Sequence, residues 1–246
     1  MSVGEPEKRE TRAGPTVAVM QPYFMPYIGY YQLIAAADLF VVYDQIKYTK
    51  KGWINRNRML VDGRDVVFTL PLRHDDDAKD VADRQVAETF DPDKLLRRMA
   101  AAYRRAPCFT ETFAFLERVL GCPERNLFRF LFASLQEACR HLGITTELRP
   151  SSAVASDRSL TGQERVLDIC RATGAAVYVN AIGGVSLYSR EAFADRGVTL
   201  RFLRPAPFEY RQFGDDFVPW LSIIDVLMFN PPAVVRARLE SGYELV

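Results

Sequence analysis

The sequence predicts an α/β protein of Rossmann-like form: a mostly parallel sheet flanked by helices, with a helical insertion between its halves. Three observations carry this expectation. Residues 17–43 read as strand, loop, helix and strand, the layout of a parallel crossover unit. The same alternation returns after residue 144, where short apolar runs are separated by helical stretches closed by glycine. Between the two, about 91–143, the apolar spacing is helical throughout.

Taken in order, Val17–Met20 is apolar at every position, as a strand buried on both faces must be. Gln21–Tyr27 places Pro22 and Pro26 among aromatics and reads as a loop. Gly29 leads into an alanine-rich helix over Tyr30–Ala37, Asp38 ends it, and Leu39–Tyr43 is a second buried strand. Met59–Val61 and Val66–Leu70 flank Asp62-Gly63, a pair that favours a hairpin turn. Pro71–Asp83, with its acidic run Asp75–Asp77, reads as a solvated loop. Asp91-Pro92 is a capped helix start, followed by Leu95, Leu96, Met99 and Tyr103. Ala106-Pro107 stops that helix, Thr110 caps a second one ending at Gly121, and a third runs from Leu127 to Gly143. Ile144–Leu148 is a strand, Gly162–Thr173 a helix closed by Gly174, and Ala175–Val179 a buried strand. Ser189 caps a short helix, Val198–Leu203 is a strand, and Trp220–Phe229 is an apolar helix broken by Asn230-Pro231-Pro232. An amphipathic helix closes the chain.

At 48% apolar and 26% charged residues, the composition is that of an ordinary globular protein, and 246 residues suffice for one large α/β domain. The 32 basic and 31 acidic side chains nearly cancel, so net charge points to neither a nucleic acid nor a membrane as partner. The four cysteines are widely separated and lack C-x-x-C spacing, which predicts reduced thiols, no zinc site and a cytoplasmic protein. Residues 1–15 are polar, charged and without an apolar core, and are expected to be a disordered extension to a single domain spanning 16–246.

Four segments then carry a resemblance. Met-Gln-Pro-Tyr-Phe-x-Pro-Tyr-Ile-Gly-Tyr (20–30), Trp-Ile-Asn-Arg-Asn-Arg (53–58), Tyr-x-x-Ala-Pro-x-Phe (103–109) and Leu-Ser-Ile-Ile-Asp (221–225) resemble the WbqC-like family over about residues 16–230. The resemblance implies a role in bacterial O-antigen or antibiotic biosynthesis, in building acyl or aminoacyl amides on amino sugars. Many members have Lys-His ahead of the Tyr-x-x-Ala-Pro segment; here the pair is Lys94-Leu95. A weaker fold likeness concerns nucleotidylyl transferases and pantothenate synthetases. Tyr27-Ile28-Gly29-Tyr30 takes the place of their H-x-G-H signature, with tyrosines where their histidines meet ATP.

In parallel sheets ligands bind beyond the carboxyl ends of the strands, so the loops at residues 21–30, 44–58 and 180–184 are expected to share one crevice. Asp44 ends a buried strand and is the candidate general base or ammonium anchor; an ion pair with Lys47 or Arg56 is its structural alternative. Lys47, Lys51 and Arg56, with Lys50 and Arg58, gather positive charge suited to a phosphate. Tyr23, Tyr27 and Tyr30 are expected to line the acceptor pocket, and Trp53, Asn55 and Asn57 to bind substrate, Trp53 by stacking on a base or sugar. Gly183 and Gly184 can bring backbone N–H groups to an anion, and Asn180 or Gln21 would join them in holding an oxyanion. His74 and His141 are poorly placed for a triad. Cys170 reads as core, and Cys108 is an outside candidate for a nucleophile. Asp225, in an apolar helix, needs a partner and reads as a hydrogen-bond hub.

The expected activity is an amide-forming acyl or aminoacyl transfer from a carrier-protein or coenzyme A thioester to an amine. No tightly bound cofactor or metal is expected; the donor would be a phosphopantetheine thioester or coenzyme A. An acyl carrier protein is the expected macromolecular partner. Two alternatives stay open: an ATP- and magnesium-dependent ligase working through an acyl-adenylate, and a non-catalytic module that binds a carrier protein or sugar intermediate.

Overall fold

The computed structural model describes residues 14–74 and 79–246. The expected extension falls, for residues 1–13, outside the described residues, as does the acidic run Asp75–Asp77. The core is a six-stranded sheet. Strand β1 (Thr16–Met20) passes through a loop into helix α1 (Ile28–Ala35) and returns as β2 (Leu39–Val42), parallel to β1 with Val17 beside Leu39. Asp38 locks this crossover. Its carboxylate accepts from Thr16 N at 2.8 Å, and its own N–H donates to Thr16 O at 2.8 Å.

A hairpin follows, β3 (Arg56–Val61) and β4 (Arg64–Thr69), separate from the main sheet. Its turn holds Asp62 and Gly63 at φ 48° and 75°. Two successive left-handed residues match the right-handed twist of the strands, which is why Asp-Gly suits the position. Three helices come next: α2 (Pro92–Tyr103), α3 (Phe109–Leu120) and α4 (Leu127–Leu142). The Asp91 side chain caps α2 as expected, accepting from Lys94 N at 2.8 Å. Helix α3 starts earlier than expected: Cys108, not Thr110, is its N-cap, because Cys108 N is already held by Met228 O at 3.0 Å.

Strand β5 (Glu147–Pro150) begins three residues later than the apolar run suggests and pairs parallel with β2. Thr146 is held back because its hydroxyl donates to Ile34 O and Ala37 O at the end of α1. Helix α5 (Gly162–Thr173), β6 (Val177–Ala181), α6 (Arg190–Ala194) and β7 (Thr199–Pro205) complete the parallel part. Helix α7 (Ile223–Phe229) starts at a Ser222 cap rather than at Trp220, whose φ of 59° breaks the helix. After α8 (Pro232–Ser241) the chain adds an antiparallel edge strand, β8 (Tyr243–Leu245), against β7.

The sheet order is β5-β2-β1-β6-β7-β8. The chain builds outward from β1 in one direction, then starts again at β6 on the other side, so β1 and β6 flank the point where the order reverses. One face is covered by α1, the hairpin, α2–α4, α7 and α8, the other by α5 and α6. Side chains alternate accordingly: Ala18, Phe40, Val42 and Val179 face the first layer, and Val17, Val19, Val41 and Tyr178 the second.

Candidate functional site

The carboxyl ends of β1, β2 and β6 lie at one rim, so Gln21, Asp44 and Asn180 share an edge of the sheet. They do not share a site. Asp44 continues the Phe40–Val42 face and lines a hollow of about 410 Å³ with Phe128 and Phe132 of α4. Asn180 continues the Tyr178 face, where its Nδ2 lies against Gly184 and its Oδ1 accepts from Ala181 N at 2.9 Å. The expected pairing of a base at Asp44 with an oxyanion donor at Asn180 is therefore corrected by strand alternation: the sheet itself stands between them. Asp44 is also engaged. It is buried, and one carboxylate oxygen accepts from Ser151 Oγ at 2.6 Å and Ser152 N at 2.9 Å, joining the end of β2 to the turn after β5. Neither Lys47 nor Arg56 is its partner.

The glycine pair is corrected for a related reason. Residues Ile182–Leu187 form a 3₁₀ helix rather than an open loop, and Gly184 is small because the Asn180 amide occupies the space a Cβ would take. The basic cluster disperses. Lys47 and Lys51 are exposed, and Arg56 donates to Gly52 O at 3.0 Å and Lys51 O at 2.8 Å, closing its own loop. Asn55 joins Tyr48 and Leu70 O, and Tyr30 is buried with its hydroxyl on Gln21 O at 2.7 Å. Arg56, Asn55 and Tyr30 are bonded within the loop, outside the lining of the cleft that follows.

What does assemble is a cleft of about 270 Å³ between the β1–α1 loop, the hairpin and the segment before α7. Tyr23, Tyr27 and Trp53 line it, together with Pro26, Arg58 and Trp220. Asn57 reaches it too, but its amide donates to Phe24 O at 3.0 Å and Met25 O at 2.8 Å, so its work is to hold the loop. Ser222 clamps the same loop from the other side through its hydroxyl on Met25 O, and Ile223 N binds Pro26 O at 2.9 Å. These bonds stabilise Met25 at φ 46°.

Aromatic faces dominate. Tyr27 and Trp220 meet edge to face at 5.9 Å, and the guanidinium groups of Arg56 and Arg58 lie 5.7 and 5.5 Å from the centre of the Trp53 ring. Gly29 makes the Tyr27 pose possible, since a Cβ there would enter the Tyr27 ring. Burial pushes the Tyr23 and Tyr27 hydroxyls above the ordinary tyrosine range, and in Tyr27 the neighbouring Tyr23 adds to it, so both remain protonated donors. Arg58 donates to Asp65 at 3.0 Å and Trp220 O at 3.0 Å, while its Nε is buried without an acceptor.

Beyond Tyr27 and Trp220 the cleft opens into an apolar groove of about 490 Å³, walled by Pro205, Pro207, Phe208, Tyr210 and Phe217. Glu209 is the carboxylate among the residues lining cleft and groove. The groove is pinned by Asp225, which is fully buried. It accepts from Tyr103 OH at 2.9 Å, Tyr210 OH at 2.7 Å and Gln212 Nε2 at 2.7 Å, and Tyr103 OH in turn accepts from Leu60 N at 2.7 Å. Burial raises the Asp225 carboxyl, and the hydrogen bonds from Tyr210, Gln212 and Tyr103 pull it back.

Sequence reasoning missed the segment from Pro205 to Trp220. It has no regular period, and its signal is the density of aromatics, Phe208, Tyr210, Phe213, Phe217 and Trp220, in a stretch with three prolines and no helix or strand pattern. The sulfur and imidazole candidates are also settled in part. Burial raises the Cys108 thiol, with Glu111 adding to it, and pushes Cys170 up to about 12, so neither is an activated thiolate. His141 is half-buried and stacks on Phe115 at 4.7 Å, with its pKa lowered by burial. No helix among the described residues is long and apolar enough to cross a membrane.

The four segments that carry the family resemblance meet here. The 20–30 and 53–58 segments form the cleft walls, Tyr103 and Asp225 hold the groove, and Ser222 clamps the loop. The comparisons agree: the model of the WbqC-like protein family matches residues 21–237. Over 221 residues the chain is 29% identical to uncharacterized protein Rv1507c of Mycobacterium tuberculosis (strain ATCC 25618 / H37Rv), covering 87% of this chain and 93% of that one. No solved structure matches the chain.

Proposed function

Because the chain belongs to the WbqC-like protein family, we propose that its cleft is the acceptor site of an amide-forming acyl or aminoacyl transferase of O-antigen or antibiotic biosynthesis. The observation that carries the reading is the pairing of two hollows across Tyr27 and Trp220, one aromatic with a cation, the other apolar. A cleft of about 270 Å³ suits one sugar ring, and its aromatic faces attract an ammonium group. The groove beside it suits the acyl part of a thioester donor, carried by coenzyme A or a phosphopantetheine carrier protein. In the transfer the amine attacks the thioester carbonyl, the C–N bond forms, the C–S bond breaks and the thiol leaves. Glu209 takes the proton lost by the amine and passes it to the departing sulfur. The neutral Tyr23 or Tyr27 hydroxyl, with the Arg58 cation, steadies the carbonyl oxygen.

A second reading, a binding module without turnover, is favoured by one feature. Arg58 is already bonded to Asp65 and Trp220 O. One protein preparation separates the two. The chain's two tryptophans, Trp53 and Trp220, both line the cleft, so intrinsic fluorescence reports its occupancy directly. Glucosamine is expected to change the emission, and acetyl-coenzyme A with glucosamine is expected to release thiol and yield the N-acyl product by mass. Glu209→Gln should lower turnover more than binding. A fluorescence response without amine-dependent thiol release across a panel of thioesters and amino sugars favours the module, and no response to any amine removes both readings.

A further inference from the structure

The hollow of about 410 Å³ at Asp44 shares no lining residue with the aromatic cleft or the groove beside it. It lies where the turn after β5 meets one flank of α4. Arg129, Phe132, Ala133 and Gln136 stand three and four positions apart, so that flank is continuous. Phe128 is buried and Phe132 half-buried, and their rings pack at 5.5 Å as an aromatic wall. Asp44 is the buried acid of the hollow, and Arg129 is exposed at its mouth.

Burial alone marks nothing here, since Asp225 is buried with both of its oxygens bonded. Asp44 differs in its second oxygen. The bonds from Ser151 Oγ and Ser152 N both fall on Oδ1. Oδ2 accepts nothing among the described residues, and it is open to solvent rather than sealed in protein. A carboxylate offers about four acceptor positions, and a buried one without a counter-charge is unfavourable. Among the described residues Asp44 makes no ion pair, so Arg129 lines the same hollow without neutralising it. Arg129 itself pairs with Glu124 at 4.0 Å, a long contact on an exposed side chain. The hollow therefore has a negative floor, a positive mouth and a phenyl wall. A cation that reaches Oδ2 relieves the carboxylate and is also favoured by the ring faces. An anionic group on the same molecule would meet Arg129, and an apolar body would cover Phe128 and Phe132.

We propose that this hollow is a binding site for an α-amino acid with an apolar or aromatic side chain. Its ammonium donates to Asp44 Oδ2, its side chain lies on Phe128 and Phe132, and its carboxylate meets Arg129. Asp44 keeps its hold on Ser151 and Ser152 through Oδ1 while the other oxygen takes the ligand. The site is separate from the aromatic cleft and does not depend on the transferase reading.

The test titrates the full chain by calorimetry with three probes: L-phenylalanine, phenethylamine, which lacks the carboxylate, and 3-phenylpropionate, which lacks the ammonium. Phenylalanine is expected to bind the wild type, phenethylamine several-fold more weakly, and 3-phenylpropionate more weakly than phenylalanine by about tenfold or more. Asp44→Asn retains an oxygen for Ser151 and Ser152 and should weaken phenylalanine by about tenfold or more. Arg129→Gln should weaken phenylalanine several-fold and leave phenethylamine unchanged. If Asp44→Asn does not fold, the three probes on the wild type and Arg129→Gln carry the test. The site is overturned if phenylalanine and leucine both fail to bind, if 3-phenylpropionate binds as tightly as phenylalanine, or if Asp44→Asn binds as well as the wild type. Phenylalanine should also leave the emission of Trp53 and Trp220 unchanged; a saturable change that tracks the heat moves the ligand to the cleft and overturns the site. Glucosamine fluorescence is read separately, so failure here leaves the cleft reading intact, and the reverse.

Discussion

The two faces of the sheet place their buried polar bonds differently. On the face carrying the hairpin and α7, Asp225, Asn57 and Ser222 find partners within the chain, and these bonds hold two backbone segments in irregular shapes. On the face carrying α5 and α6, the buried Asn180 amide bonds back to its own strand, accepting from Ala181 N at 2.9 Å. A satisfied network fixes the walls of a cavity and leaves recognition to the aromatic groups it holds. A bond back to the same strand fixes one side chain and joins no second segment. The comparison teaches that burial does not mark a functional carboxylate, since Asp44 and Asp225 are both buried and both serve as struts.

The largest effect that could break this comparison is at Asp225. Asp225→Ala leaves Tyr103, Tyr210 and Gln212 without their acceptor and should lower stability by about 3–5 kcal/mol in urea denaturation. A change within about 0.5 kcal/mol means the network does not hold the groove. The sign of the pH effect follows from the raised carboxyl. Ionised Asp225 costs stability at neutral pH, and the cost fades as pH falls through its raised folded value toward the unfolded value near ~3.9. Asp225→Asn should lack that component of the stability–pH curve.

Next in size is Gly29→Ala. The added Cβ enters the Tyr27 ring, so stability should fall by about 1–3 kcal/mol and cleft occupancy should weaken. In a Tyr27→Ala background the same substitution should cost less than about 0.5 kcal/mol, a coupling that a double-mutant cycle reads directly. An equal cost in both backgrounds would place the clash elsewhere.

Asp44→Ala removes the acceptor of Ser151 Oγ and Ser152 N and should cost about 1–3 kcal/mol while leaving glucosamine fluorescence unchanged. The reverse outcome, full stability with lost turnover, would return Asp44 to the role of general base. Smallest is Trp220→Ala. The side chain is 64% exposed, so stability should move by less than about 0.5 kcal/mol, yet ligand affinity should drop several-fold. A Trp220 that alters neither quantity would remove one wall from the proposed site.

The elements of the α/β frame were legible because burial on both faces of a strand leaves continuous apolar runs, and because Gly143 and Gly174 end helices in the left-handed conformation at φ 74° and 66°. Strand β8 was not legible: three residues acquire strand character only by pairing with β7. Among site residues, Tyr23, Tyr27 and Trp53 could be found from aromatic density in a loop. Trp220 could not, since nothing local ties residue 220 to residue 27.

By itself, then, the amino-acid order determined which segments are strands or helices, that the sheet is mainly parallel, and which aromatics sit near its carboxyl rim. Folding in three dimensions decided which of those groups meet. Whether Asp44 and Asn180 look at one another depends on strand alternation across a shared sheet. Whether Arg56 or Arg58 is free to act depends on which carbonyl lies within about 3 Å. Local preferences are short-range, whereas cavities arise from the mutual placement of segments far apart in the chain, as in the bond from Ser222 to Met25, 197 positions away.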